Sequence, residues 1–520
     1  MGRAWTQRSF GGVYEDNRQY SRPSYEFGLG NGKEMQKGGE KAMTQFNNQY
    51  RYLAQITIEA TTPLQIGSGE KGIKTDSLVI RDVNELPFIP GTTLAGLIAH
   101  ALGKEKENLM GNLQEGSRLI VTEAKLLDKY GKVMDGLVDF SKVSKEDASF
   151  LKQYERLPIR QHVRISHKGT AKDTGKFDEE VILKGSRFCF ELELISAKDE
   201  SKQFDELLNT IQSPTFRIGS GGRSGFGSIK VVKCLYRALD LAKESDLNLY
   251  LEKSSSLSTV WEGWQPANEK LKVQTFCDGW TSYKLKDLSP EDFVLFGSGF
   301  GDPEGQADMA YVRETTIQWN AEGTSAEVND IDKTILIPGS SVKGALSHRT
   351  AFYYNKLTDA VIKEDGTLLN GKTIEEVTGK NNIAVKAIFG SEGKKNLETN
   401  KMEDKQRGNI LISDVIEIKE QTKAKVLNHV SIDRFTGGAI DGALFNEQTL
   451  YAKGEKFNID IMIADEALID ENVKNAFESA LKDIASGMLP LGGGVNRGNG
   501  VFNGKVIKYN KEKEQWEELA

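Results

Sequence analysis

Ile337-Pro338-Gly339-Ser340-Ser341-Val342-Lys343-Gly344 has a near-copy upstream, Ile89-Pro90-Gly91-Thr92-Thr93-Leu94-Ala95-Gly96. Pro fixes φ and Gly takes conformations other residues avoid, so each Pro-Gly closes a tight turn. The hydroxyls that follow are good N-caps, and an apolar-periodic run comes next: Leu94, Leu97, Ile98 in one copy, Val342, Ala345, Leu346 in the other. Each copy therefore predicts the end of a strand, a turn and a helix start, with His100 and His348 at the same place in the two helices.

Other anchors double in the same order. Ile66-Gly67-Ser68-Gly69 answers Phe296-Gly297-Ser298-Gly299, and Asp76 to Asp82 answers Asp308 to Glu314. Leu119 to Ala124 matches Ile410 to Val415, His162-Val163 matches His429-Val430, and Lys184-Gly185 matches Lys453-Gly454. Gly219, Gly221, Gly225 and Gly227 close the set against Gly492, Gly494, Gly498 and Gly500. The separation between copies grows along the chain, as loop insertions would make it. This is a tandem duplication. Alternating apolar runs (Tyr52 to Glu59, Phe188 to Ile195, Phe457 to Ala464) predict strands, and Phe204–Ile211 and Glu466–Ala485 predict helices. The order suggests a β-α-β-β-α-β, ferredoxin-like α+β unit in each copy, with a long hairpin before the second helix.

The 520 residues divide into a Gly-, Arg- and Tyr-rich arm over 1–48, a first domain over 49–235 and a Ser-rich linker over 236–272. A second domain over 273–510 and a charged tail over 511–520 follow. A net charge of −7 argues against a protein coated in positive charge and leaves room for a local basic groove. The three cysteines lie far apart without a CxxC pair, which excludes a zinc finger and fits a reducing, cytoplasmic setting. No apolar run approaches a membrane span, and the first residues lack a signal-peptide core.

Three sets of residues can carry chemistry. The glycine loops present bare amides beside Arg223 and Arg497; they suit either a phosphate cradle or a bend that lets the last strand pack. No Gly-Lys-Ser/Thr makes either a Walker loop, and both precede strands where a dinucleotide fingerprint opens a helix. Ser340, Ser341 and Lys343 at a helix start can hold phosphate, whereas the first copy has Ala95 in place of the lysine. Asp76 and Asp308 each follow a Gly-rich loop; they can recruit a cation or assist a ribose hydroxyl, or serve only the turn. Basic residues recur along the first hairpin at Arg156, Arg160, Arg164, Lys168, Lys172 and Lys176. No HExxH, GxSxG or Cys/His pair suggests a protease or hydrolase.

Taken together, G-S-G, Asp-x-x-x-x-Arg, I-P-G-[ST]-[ST]-x-x-G, a hairpin and G-x-G-x-x-x-G-x-G resemble the RAMP superfamily of CRISPR-associated proteins. The chain looks most like a fusion of two type III effector backbone subunits, as in type III-D-like systems. Ile432-Asp433-Arg434-Phe435-Thr436-Gly437-Gly438 is similar to the family's hairpin motif, which the first copy lacks. The resemblance implies two RRM-like domains that hold guide RNA, each with a hairpin thumb that enters the guide–target duplex. It implies target-RNA cleavage at Asp76 and Asp308 by attack of a 2′-hydroxyl with a divalent cation, Mg2+ or Mn2+. The expected RNA contacts are Thr92, Thr93, Ser340, Ser341, Lys343, Arg349, Arg164, Lys168, Arg434, Gly221, Arg223, Gly225, Gly494, Arg497 and Gly498. The implied partners are guide RNA, single-stranded target RNA and other effector subunits, with no membrane. Extra residues before Ile337 and a longer Gly299–Asp308 loop raise the expectation that Asp308 is displaced. A guide-binding scaffold without cleavage, or a guide-processing ribonuclease built on histidine, are the alternatives.

Overall fold

The computed structural model describes residues 48–519, apart from breaks at 73–74, 104–105, 113, 272–275, 302–304, 306, 366, 396–401 and 420–421. The segment expected to be an N-terminal arm lies outside the described residues.

In the first half the chain runs β1 (Tyr50–Ala60), α1 (Gly91–Leu102), β2 (Leu119–Val121), the hairpin β3 (Ile159–Ile165) and β4 (Ala171–Glu180), β5 (Arg187–Ser196), α2 (Ser201–Ile211) and β6 (Ile229–Asp240). Strand β1 lies between β5 and β6, antiparallel to both, with Ile56 opposite Phe190 on one side and Cys234 on the other. Helix α2 buries Phe204, Leu207, Leu208 and Ile211, the i, i+3, i+4, i+7 stripe of an amphipathic helix. With Leu94 and Ile98 of α1, that stripe joins Tyr52, Ala54 and Ile56 in one core.

The stretch expected to be a linker is part of the fold. It forms α3 (Glu244–Leu251) and β7 (Gln265–Pro266), which pairs with β6. Trp261 packs with Leu53, Leu239 and Leu241, away from the main core. This second apolar cluster explains why β1 is buried on both sides at its middle instead of alternating.

The second half repeats the order with β8 (Trp280–Pro290), β9 (Ile317–Trp319), β10 (Ala326–Val328), β11 (Thr334–Ile337), α4 (Gly339–Leu357), β12 (Ile410–Ile412), β13 (Val415–Ile418), the hairpin β14 (Lys423–Ile432) and β15 (Ala439–Tyr451), β16 (Phe457–Ala464), α5 (Glu471–Ala485), β17 (Phe502–Asn510) and β18 (Gln515–Glu518). The sheets correspond strand for strand, β2-β5-β1-β6-β7 against β12-β16-β8-β17-β18. The charged tail is thus an edge strand: Trp516 sits opposite Tyr509, and both rings join Phe276 in an aromatic cluster. The second hairpin begins earlier than the sequence suggests, because Lys423 to Leu427 already pair with β15.

At both Pro-Gly turns the helix begins on the glycine, and the proline is the N-cap. The hydroxyls expected to cap make no capping bond, since they fall inside the first turn. In the second copy the cap comes from afar, with Gly339 N–H donating to Asp414 Oδ1 at 2.7 Å.

The two halves form one compact unit. Arg160 of β3 is buried between Glu314, which accepts from Nε at 2.6 Å, and Asp414, which accepts from Nη1 at 2.9 Å. Burial alone would lower the Arg160 pKa, but the two carboxylates outweigh it and raise it, while burial pushes Glu314 up. An insertion in the second half, β9 with β10, reaches the first: Ile317 and Ala326 lie in the first core. Trp319 Nε1 donates to Gly185 O at 2.9 Å, and the Arg187 guanidinium covers its ring at 3.8 Å.

Candidate nucleic-acid interface

Asp76 and Asp308 occupy the same place in the two halves. Each Gly-Ser-Gly loop folds back on the strand that follows the aspartate: Ser68 N–H donates to Leu78 O at 2.9 Å and Ser298 N–H to Ala310 O at 2.8 Å. The next rung also repeats, Ile80 to Ile66 at 2.9 Å and Val312 to Phe296 at 2.7 Å. The second strand of each hairpin then runs alongside. Asp178 N–H donates to Asp76 Oδ2 at 3.3 Å, and Asn446 N–H donates to Asp308 Oδ2 at 2.9 Å. Both aspartates are exposed, each with one carboxylate oxygen tied to a hairpin amide. The longer loop before Asp308 therefore does not displace it.

The arginines five residues on are structural. Arg81 donates to Tyr154 O at 2.5 Å and to Glu180 at 3.1 Å, and Arg313 pairs with Asp332. The histidines are likewise held by the fold. His162 stacks on Phe177 and lies 3.1 Å from Glu179; His429 stacks on Phe445 and lies 3.2 Å from Glu447. His348, its pKa lowered by burial, meets the backbone of Ile165 in the first hairpin.

The glycine loops are closed turns. Gly221 O accepts from Ser224 and Phe226, as Gly494 O accepts from Arg497 and Asn499. Ser220 and Gly227 donate to Gln65 and Pro63, and Gly493 and Gly500 donate to Leu295 and Phe293. These turns occupy the amides of Ser224, Phe226, Arg497 and Asn499, and Gly498 N–H donates to Val495 O at 3.4 Å, so the Gly498 amide is not bare; Gly221 and Gly494 contribute their carbonyls to the turns. Gly225 is buried against the second half, where its carbonyl accepts from Asp414 N–H at 3.0 Å.

Where the halves meet, basic side chains gather instead. Arg223 of the first glycine loop donates to Gly408 O, beside Arg407, and Arg407 Nη1 lies 3.0 Å from His100 Nε2. Lys343, on the first turn of α4, is next to Arg223. Burial, with Arg223 adding repulsion, brings the Lys343 ammonium down to about 8, and burial with Arg407 nearby brings Arg223 down to about 10. Among the described residues none of these three cations forms an ion pair. Partly desolvated cations such as Lys343 and Arg223, with the exposed Arg407 beside them, are stabilised by an anion. Sequence pattern pointed to Lys343 and Arg223 but missed Arg407 and His100, which only the meeting of the halves brings to them.

The remaining expected contacts divide. Thr92 is exposed, and Thr93, Ser340 and Ser341 are half-buried in the two helix first turns. Arg164 and Lys168 are exposed near the end of the first hairpin, and Arg434 is exposed at the tip of the second beside Phe435, which is 99% exposed. Arg349 instead pairs with Asp483 of α5, joined by Tyr353, and Arg497 pairs with Glu447. Both side chains are engaged within the fold.

A family model described as the RAMP superfamily matches residues 57–230 and 319–503, more than half of the chain. The chain belongs to the RAMP superfamily. Its two RAMP regions fall in the two halves, so the duplication is a tandem RAMP fusion with mixed α+β, antiparallel-sheet architecture. Membership places it among CRISPR-associated, RNA-binding proteins. The second RAMP match begins after Asp308, so the equivalence of that residue with Asp76 stands on geometry. No curated protein matches the chain significantly. Among the described residues no helix is long and apolar enough to cross a membrane.

Proposed function

We propose that this RAMP protein is a backbone subunit of a type III, III-D-like CRISPR effector complex that binds guide RNA and cleaves complementary target RNA. One observation carries the proposal: two exposed aspartates recur at equivalent positions, each held by an amide of the second strand of a hairpin. The repeated strand order, with two helices on one face, supports a ferredoxin-like, RRM-like unit in each half. The protruding hairpins are the thumbs. Lys343, Arg223 and Arg407 supply the anion site for the guide backbone, and Arg164, Lys168 and Arg434 supply charge on the hairpins.

Cleavage is attack of a ribose 2′-oxygen on the adjacent phosphorus with expulsion of the 5′-oxygen, which leaves a 2′,3′-cyclic phosphate and a 5′-hydroxyl. DNA, lacking the nucleophile, is spared. Asp76 and Asp308 each keep Oδ1 without a hydrogen bond among the described residues, available to a cation or to the 2′-hydroxyl proton. Among the described residues no three His, Cys, Asp or Glu side chains surround a cation position. Asp76 and Asp308 would each offer a divalent ion a single carboxylate and not a protein cage, which suits Mg2+. Bound there, it supplies charge stabilisation to the phosphate under attack.

The test is target-RNA cleavage by the assembled complex carrying Asp76→Ala, Asp308→Ala or both, in Mg2+ or Mn2+. Loss of one distinct cut per substitution, with guide binding intact, is expected. An unchanged cut pattern would leave the chain a scaffold.

A further inference from the structure

The two aspartate sites are matched in position but not in what holds them. On the first hairpin the residues facing the site segment are Asp178 and Glu180; at the same places on the second stand Asn446 and Gln448. Each acid in one half is its own amide in the other. The difference is used structurally. In the first half Asp178 Oδ1 accepts the amide of Asp76 at 2.8 Å, and Glu180 Oε2 accepts the amide of Val79 at 2.9 Å. Glu180 Oε1 also holds Arg81 at 3.1 Å. In the second half the backbone carbonyl of Asn446 takes the amides of Asp308, at 3.1 Å, and Met309, at 3.2 Å.

We infer that Asp178 is a positioning residue for Asp76, its carboxylate oxygen fixing the loop amide so that the Asp76 side chain stays tied to the hairpin. The inference rests on the cleavage role given to Asp76 above. Asp76 and Asp178 clasp each other in both directions, side chain to amide, and one half of that clasp runs through Asp178 Oδ1. Removing the acceptor leaves the Asp76 amide to solvent and frees the loop that precedes it. A small misplacement of a reacting group is costly in rate. What the site needs from position 178 is an acceptor, so Asn, with its carbonyl oxygen, substitutes for Asp where Ala does not.

The experiment compares Asp178→Ala, Asp178→Asn and Asp76→Ala in the assembled complex, reading each cut separately, together with hydrogen exchange of residues 67–80 in the free full-length chain. Asp178→Ala should slow the Asp76 cut by about 10- to 100-fold, leave the Asp308 cut at the parent rate and speed exchange in 67–80. Asp178→Asn should restore both the rate and the protection. If Asn is as defective as Ala, the charge and not the acceptor matters, and the inference falls. It falls equally if neither variant changes the Asp76 cut while Asp76→Ala abolishes it. Should Asp76→Ala leave every cut in place, the cleavage reading itself is wrong and this inference goes with it.

Discussion

Gly225 of the first half lies directly against Asp414 of the second: a Cβ on Gly225 would stand 1.8 Å from Asp414 Oδ1. That oxygen is the one that caps α4 through the Gly339 amide, and the other oxygen of the same carboxylate holds Arg160. One buried side chain thus joins the first glycine loop, the first hairpin and the second Pro-Gly helix.

Gly225→Ala should accordingly be among the most damaging alanine substitutions in the chain. Its φ of 122° disfavours a side chain, and the new methyl would displace the Asp414 carboxylate from α4. A loss of about 3 kcal/mol or more is expected in chemical denaturation.

Arg160→Met removes the only cation of the buried triad and leaves Glu314 and Asp414 without the guanidinium that bridges them. Breaking such a pair costs about 3–5 kcal/mol. Burial already raises Glu314, and without Arg160 to oppose it that carboxylate binds a proton more readily folded than unfolded, so the variant's folded state gains stability as pH falls. Denaturation at pH 8 and pH 5 should show the larger deficit at pH 8.

Lys343→Met should separate stability from binding. The folded pKa of about 8 lies below the ordinary 10.5, so the unfolded chain holds this proton more tightly. Stability of the free protein therefore rises between pH 8 and 10.5 and is penalised below. Relieving about 1 kcal/mol of that penalty raises Tm by about 1 °C in a unit of this size. Guide-RNA binding should weaken in the same variant, and binding by the parent protein should weaken as pH climbs through 8. A variant that is less stable yet binds normally would overturn the assignment of Lys343 to an anion.

Arg349 and Arg434 should behave in opposite ways. Arg349→Ala breaks the contact between α4 and α5 through Asp483 and should lower Tm with little change in the salt dependence of RNA binding. Arg434→Ala, at an exposed hairpin tip, should leave Tm unchanged and reduce that salt dependence by about one phosphate contact. Thermal melts and a salt titration of binding separate the two.

The duplication was legible because its anchors are backbone constraints. Pro90 and Pro338 mark helix starts, and the glycines mark turns whose conformations few other residues adopt, so their spacing reports architecture directly. The parallel placement of Asp76 and Asp308 followed from the same anchors. Which surfaces meet was not legible. Arg160 and Asp414 lie 254 positions apart, and nothing local to either distinguishes a buried ion pair from a basic hairpin and a strand-end acid. Arg349 carried a helical position that fits RNA or Asp483 equally well until α5 is placed. The hairpin of β9 and β10 among the extra residues before Ile337 gives no strand signal, because a short polar hairpin has no period of its own; the burial of Ile317 and Ala326 is accounted for only by the core of the other half. The hydroxyls after each Pro-Gly predict the cap a residue or two too late, because each helix already begins on the glycine with proline as its N-cap.

The Trp319 hairpin and the Arg160 triad have a metric consequence. Two separate subunits could slide or tilt between one aspartate and the next, whereas here the interval from Asp76 to Asp308 is written into a single polypeptide and locked by a shared core. The chain is a calliper with both jaws fixed, its gap a property of the fold.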